Sequence, residues 1–223
     1  MSIHLRPTAP IAPDVLLPGD PGRALVLAQE LLEAPRMSNH HRGLWGYSGT
    51  TPEGRPLTIQ STGLGGPSAA IVLHELAELG ARRAIRVGTC GAGGRKLRLG
   101  SLLIATEAVA GDGASRALGA PRVVPASVPL TEALAVAAPE AHLARVATTD
   151  LFYGPPPADG SGAAAVEMEA APLFALGPSL GVEVGCVLVV AAARAGESRI
   201  SDGALREAEL RMGRAAAAAL ADS

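Results

Sequence analysis

No stretch of this 223-residue sequence concentrates basic side chains. Its 19 lysines and arginines are scattered among 21 aspartates and glutamates, for a formal charge of -2. A chain with no cationic tract has nothing with which to hold a polynucleotide by its phosphates, so a nucleic-acid partner is excluded. Long apolar runs are missing as well: none approaches the roughly 20 residues of a membrane span. Residues 1–13 contain His4 and Arg6 but no continuous apolar signal core, and the expectation is a soluble cytoplasmic protein with no membrane partner. Cysteine is scarce. Cys90 and Cys186 stand far apart in apolar, strand-like segments, outside any Cys-x-x-Cys or Cys/His ligand spacing, so no metal is expected. Lysine is almost absent too, Lys96 being the only one. The positive charge is therefore nearly all guanidinium, whose planar fork suits phosphate and carboxylate.

What is present is apolar mass, 48% of the residues, enough at this length for one α/β domain over residues 1–223. Val15-Leu16-Leu17 reads as a short buried strand, followed by a turn in which Asp20 suits an N-cap and Pro21 a first helical position. A helix is predicted over 22–33, strands over 43–49 and 57–61, and a helix opening from 63–68 and closing at Gly80. Further strands are predicted over 84–89, 101–110, 145–149 and 184–191. The span 111–129 has no clear assignment. Residues 154–165 read as a loop, leading through Glu167 and Glu169 into a helix interrupted or ended near Pro172 and Pro178, with a last helix over 203–220. Strands alternating with helices give an α/β domain.

Arg23, Arg42 and Arg86 each lie close to a turn that ends a predicted strand or begins a helix, where anions gather in α/β proteins. Taken singly, each is also what a surface ion pair looks like. The glycine turn at 63–68 lacks the Gly-Lys-Ser/Thr ending of a P-loop and is too permissive for a dinucleotide fingerprint, so triphosphate and NAD readings fail. Thr89 is either a hydroxyl donor to a phosphate beside Arg86 or an ordinary turn threonine. Glu167 and Glu169, two residues apart, point the same way if extended and then suit the paired hydroxyls of a ribose; otherwise they are acids that favour a helix start.

Several of these stretches, in order, resemble the signature segments of the bacterial purine nucleoside and uridine phosphorylases. They are Leu17-Pro18-Gly19-Asp20-Pro21-Gly22-Arg23, Thr62-Gly63-Leu64-Gly65-Gly66-Pro67-Ser68, Ile85-Arg86-Val87-Gly88-Thr89-Cys90-Gly91-Ala92 and Val166-Glu167-Met168-Glu169-Ala170-Ala171. The segment 39–49, with Arg42 and Trp45-Gly46-Tyr47, is similar too, and His4 stands about where those enzymes carry an N-terminal histidine. The resemblance implies a three-layer α/β/α sandwich around a distorted mixed sheet. It implies phosphate binding by Gly19, Arg23, Arg86 and Thr89, with Arg42 supplied by a neighbouring subunit. Ribose would meet Met168, Glu169 and the neighbour's His4, with Glu167 lining the pocket, and the base would lie between Phe152 and Cys90-Gly91. Active sites shared across a dimer, arranged as a hexamer, are implied as well, and inorganic phosphate is a co-substrate with no cofactor required.

The pattern is departed from at the base end. Where the purine enzymes carry a Ser-Asp pair whose acid protonates the departing base, this chain reads Ala191-Ala192-Ala193-Arg194, and Ser201-Asp202 lies where a helix cap is expected. Arg194 would face the base, as an arginine does in the uridine enzymes. Those enzymes also use a Gln and an Arg to read uracil, yet neither occurs in 154–162 here. The expectation is a phosphorylase of uridine or of broad specificity, with a purine phosphorylase as alternative. A water-using nucleosidase is disfavoured by the arginines, and a non-catalytic nucleoside- or phosphate-binding paralogue is the alternative of another class. On this reading Arg86→Ala lowers phosphate-dependent turnover by orders of magnitude and leaves folding nearly intact.

Overall fold

The computed structural model describes residues 2–93, 97–153, 161–193 and 198–222. Strand β1 (Asp14–Leu17) pairs in parallel with β4 (Pro56–Gln60) on one side and β5 (Arg83–Ala92) on the other, which is why Val15, Leu16 and Leu17 are all fully buried. Helix α1 (Pro21–Leu31) begins where sequence chemistry places it: the Asp20 carboxylate accepts from the backbone N–H of Gly22 at 2.9 Å and of Arg23 at 3.2 Å. Strands β2 (Glu33–Asn39), β3 (Gly46–Thr50) and β4 form an antiparallel meander at the sheet edge. Helix α2 (Gly66–Glu78) then carries the chain back to β5.

Beyond β5 run β6 (Leu102–Ala110), α3 (Gly113–Ala117), β7 (Val123–Pro125), α4 (Val128–Ala137) and β8 (His142–Thr148). They are followed by β9 (Ala165–Glu167), α5 (Ala170–Leu180), β10 (Glu183–Ala192) and α6 (Asp202–Asp222). β5 pairs with β1, with β10 in parallel and with β9 antiparallel. β10 continues to β6, β6 to β8, and β8 to β9. Five strands thus close a distorted ring, and β1, β4, β3 and β2 extend from it as a wing. Alternate residues of β5 face two cores. Ala84, Cys90 and Ala92 join the core under α2 and α5, whereas Ile85 and Val87 join that under α1, α4 and α6. This is the three-layer sandwich with a mixed central sheet that the resemblance implies. Among the described residues no helix is long and apolar enough to cross a membrane.

Two local expectations are corrected, and two stretches without an assignment are filled. The strand expected from residue 43 begins at Gly46, because residues 41–43 form a tight 3-10 turn in which Arg42 (φ 58°) and Gly43 (φ 71°) are left-handed. β2, an edge strand whose first five residues are exposed, lacks the alternation that would reveal it. The unassigned span 111–129 holds α3, β7 and the start of α4, a helix that buries only Leu130 and Leu134 and so carries a weak apolar stripe. α5 runs through both prolines, since Pro172 lies in its first turn, where no N–H is needed, and Pro178 in its last, just before left-handed Gly181.

Gly177 fixes how closely α5 lies on the sheet. A Cβ there would meet Val184 Cγ2 at 2.6 Å and the Val182 carbonyl at 2.7 Å. Gly177→Ala should cost about 1–3 kcal/mol by forcing this contact apart, read as a lowered urea midpoint; an unchanged midpoint would show that the helix can lift freely.

Candidate active site

The loops that follow β1 and β4 are stitched together off the ends of their strands. Thr62 N–H donates to the Pro18 carbonyl at 2.8 Å, and Gly63 N–H to that of Gly19 at 3.0 Å. A Cβ on Gly19 would stand 3.2 Å from the Gly63 carbonyl oxygen, and one on left-handed Gly63 would stand 2.8 Å from Ser68 Oγ. Both glycines are therefore needed for this approach.

Beside these loops lies a buried cluster of charge. Arg86 on β5 is 4% exposed, as are Glu167 and Glu169. Its Nε donates to Glu167 Oε2 at 3.0 Å, and its Nη2 pairs with Glu169 Oε2. Gly88 makes room for the guanidinium, which a Cβ there would meet at 2.8 Å. Burial works against the charge on Arg86, but Glu169 and then Glu167 hold it protonated well above the ordinary range. Nη1 is buried and has no hydrogen-bond partner among the described residues.

The two glutamates both reach Arg86, but not as an extended pair, since β9 ends at Glu167 and residue 169 is the N-cap of α5; they do different work. Glu167 accepts from Thr148 Oγ1 at 2.5 Å, from Glu169 N–H at 2.8 Å, from Ala170 N–H on both oxygens, and from Arg86. It caps α5 and anchors Arg86, and its acceptor capacity is spent. Burial pushes this carboxyl up against the pull of Arg86; since every partner is a donor, we assign it as ionised. Glu169 reaches the other way, accepting the Gly65 N–H at 2.6 Å at the start of α2. Met168 between them is half-buried.

Arg23 does not touch this cluster. It lies against the other core, where Nε donates to Glu209 Oε1 of α6 at 2.7 Å and Nη1 reaches the Val87 carbonyl at 3.4 Å. Glu209 was not foreseen, because nothing in the local pattern of α6 marks it. Strand alternation places Thr89, half-buried, on the Arg23 side of β5. Cys90 is buried, its thiol pushed up to about 12 by burial, and Gly91 pairs with Val166. Phe152 is 64% exposed, its ring edge-on to Tyr153 at 5.0 Å. Arg194 and residues 154–160 lie outside the described residues. A cavity of 540 Å³ lined by Asp14, Arg55, Arg82 and Arg83 lies at the opposite, amino-terminal ends of β1 and β5, far from these groups.

His4 and Arg42 stand elsewhere. Glu75, on the buried side of α2, accepts the backbone N–H groups of Ile3, His4 and Leu5 at 2.6–3.0 Å and the His4 Nδ1 at 2.8 Å. Glu75 lies ten residues along α2 from Gly65, so His4 is separated from the Glu169 contact by about 15 Å of helix. Arg42 is exposed in its 3-10 turn. Burial, then the charges of Arg6, Arg42, His40 and His4, hold the His41 ring below its usual value.

Burial raises Glu75, but the N–H groups of His4 and Leu5 and the His4 ring reverse this and bring it to about 2. A depressed carboxyl stabilises the fold above its unfolded value, near 4.5, and that contribution is lost as pH falls towards 2. The amide of Leu5 should therefore lose hydrogen-exchange protection across this window, ahead of the central strands; protection unchanged to pH 2 would contradict the pairing.

Comparison with known proteins bears on what these residues do. The chain is 35% identical over 203 residues to a purine nucleoside phosphorylase of Clostridium beijerinckii, covering 85% of each protein. It is 35% identical over 202 residues to another of Geobacillus kaustophilus, again covering 85% of each. It is also 39% identical over 199 residues to a uridine phosphorylase of Treponema pallidum, covering 79% of this chain and 76% of that one. The family model of the phosphorylase superfamily matches residues 13–222, and the chain belongs to that superfamily.

Proposed function

We propose that this chain is a nucleoside phosphorylase that transfers the ribosyl group of a nucleoside to inorganic phosphate, with uridine or a broad range of bases as substrate. In the reaction the bond from C1′ to the base nitrogen breaks, its electron pair leaving with the base, which takes up a proton. A phosphate oxygen closes the new bond to C1′. Positive charge grows on the sugar as the bond lengthens, so an anion held beneath it both stabilises that charge and attacks it.

One observation carries the reading: Arg86 is fully buried, fixed through Nε and Nη2, and keeps Nη1 without an acceptor among the described residues. A buried guanidinium edge fixed by two carboxylates is a preorganised donor for an oxyanion. The phosphate would lie off the joined loops at Gly19 and Gly63, reached by Arg86 and Thr89 and by Arg23 once its guanidinium is shared between Glu209 and the incoming anion. Met168 and Glu169 would face the ribose, with Glu167 holding both Arg86 and the first turn of α5. Cys90, Gly91 and Phe152 would line the base.

His4 and Arg42 would serve the site of a second copy. The length of α2 between Glu75 and Gly65 keeps a chain's own His4 from its own Glu169, and Ile3, Leu64 and Ile71 are exposed apolar side chains in the N-terminal arm, before α2 and on its outer face. A surface of this kind favours self-association. Purine nucleosides are the second reading, favoured by the names of the Clostridium and Geobacillus relatives. The alanines at 191–193, where an acid would meet a purine, speak for uridine.

Incubation with phosphate and uridine, thymidine, inosine, guanosine or adenosine should release ribose 1-phosphate, or its deoxy form, from at least one of them. Cleavage equally fast without phosphate would sink the assignment, and tight binding without product would favour a non-catalytic role. Arg86→Ala, expected from sequence to fold normally, would strand two buried glutamates and cost about 3–5 kcal/mol. Arg86→Lys is the cleaner variant: it keeps the charge, loses the fork, and should raise the KM for phosphate at least about tenfold. Unchanged phosphate kinetics in that variant would count against the site.

A further inference from the structure

We propose that Glu75 is a positioning residue for His4: it accepts the hydrogen bond of the Nδ1–H and so leaves Nε2 as a bare acceptor for a sugar hydroxyl. The inference rests on the reading of His4 as a ribose contact in a neighbouring copy's site, and adds to it which residue sets the imidazole and in which form.

Glu75 is a carboxylate on the inner face of α2, 7% exposed, one position from buried Leu76 and three from buried Val72. A buried charge here is tolerated only if its acceptor capacity is filled. Three successive backbone N–H groups, from Ile3, His4 and Leu5, converge on it, and Leu5, 1% exposed, plugs the arm into the core beneath. These bonds fix the backbone of residue 4. The remaining contact, Nδ1 to Oε1 at 2.8 Å, fixes the ring.

The chemistry of that contact decides the proton. An ionised carboxylate can only accept, so the nitrogen that touches it must be the one carrying hydrogen. In the neutral ring the other nitrogen is then a lone-pair acceptor. Among the described residues Nε2 has no hydrogen-bond partner, and the side chain is 27% exposed, so that pole of the ring is available. A sugar hydroxyl would donate to it. Were Nδ1 bare instead, Nε2 would be a donor and the hydroxyl would have to accept. Glu75 never meets substrate; it selects between these two modes.

The test is direct-detection nitrogen NMR of the full-length protein carrying labelled histidine, with the His4 signals assigned by their loss in His4→Gln. The wild-type ring should show hydrogen on Nδ1 and a bare Nε2. In Glu75→Gln the amide can meet Nδ1 through either its oxygen or its N–H, and the single wild-type form should give way to a mixture of both tautomers. In phosphorolysis assays the same substitution should lower kcat/KM for the nucleoside about tenfold and leave the KM for phosphate within about twofold, since a group acting through His4 has no hold on the anion. The Gln variant should add little further loss to His4→Gln.

A wild-type ring with its proton on Nε2 overturns the proposal, and this needs no variant to fold. A wild-type protein that shows the Nδ1 proton but phosphorolyses no nucleoside overturns the proposed function, and with it the sugar contact assigned here.

Discussion

Arg86 is the group on which the arrangement turns. A guanidinium buried among strands is tolerated only if carboxylates meet it, and Glu167 and Glu169 do so from the turn between β9 and α5. Each glutamate has a second obligation: Glu167 to the N–H groups of residues 169 and 170, Glu169 to the N–H of Gly65. One cation thus ties β5, the short strand β9 and the starts of two helices. The same constraint accounts for Gly88, since a side chain there would occupy the space of the guanidinium.

This tie also makes the site selective in what it can do. An arginine held by two carboxylates at fixed positions cannot swing to follow a ligand, so only its Nη1 edge is left to meet one. Arg23 is held differently, by one glutamate from α6 and a strand carbonyl. Its side of β5 belongs to the other core, and only beyond the strand ends would the two arginines face a common space.

The N-terminal arm is the second fixed element. Glu75 draws residues 3–5 onto α2, Asn39 receives the Arg6 N–H, and the Ser38 carbonyl receives that of Thr8. These bonds hold His4 at Glu75, ten residues along α2 from the Gly65 contact of the glutamate cluster. His4 is thereby set apart from the chain's own Glu169.

Sequence by itself determined the punctuation: Asp20 and Pro21 opening α1, the glycine turns after β1 and β4, the apolar central strands, and the family pattern that singled out Arg86, Glu167 and Glu169. These signals are local, since caps, turns and buried parallel strands announce themselves within a few residues. Tertiary structure decided the partners. Glu75 and Glu209 are unremarkable acids on amphipathic helices until folding brings His4 and Arg23 to them across 71 and 186 residues. β2 and α4 escaped notice because an exposed edge strand and a helix buried at two positions have little periodicity to show. What Glu167 does followed the same rule: its spacing from Glu169 was legible, but a carboxylate's role is set by which donors surround it, and those come from β5, β8 and α5 at once.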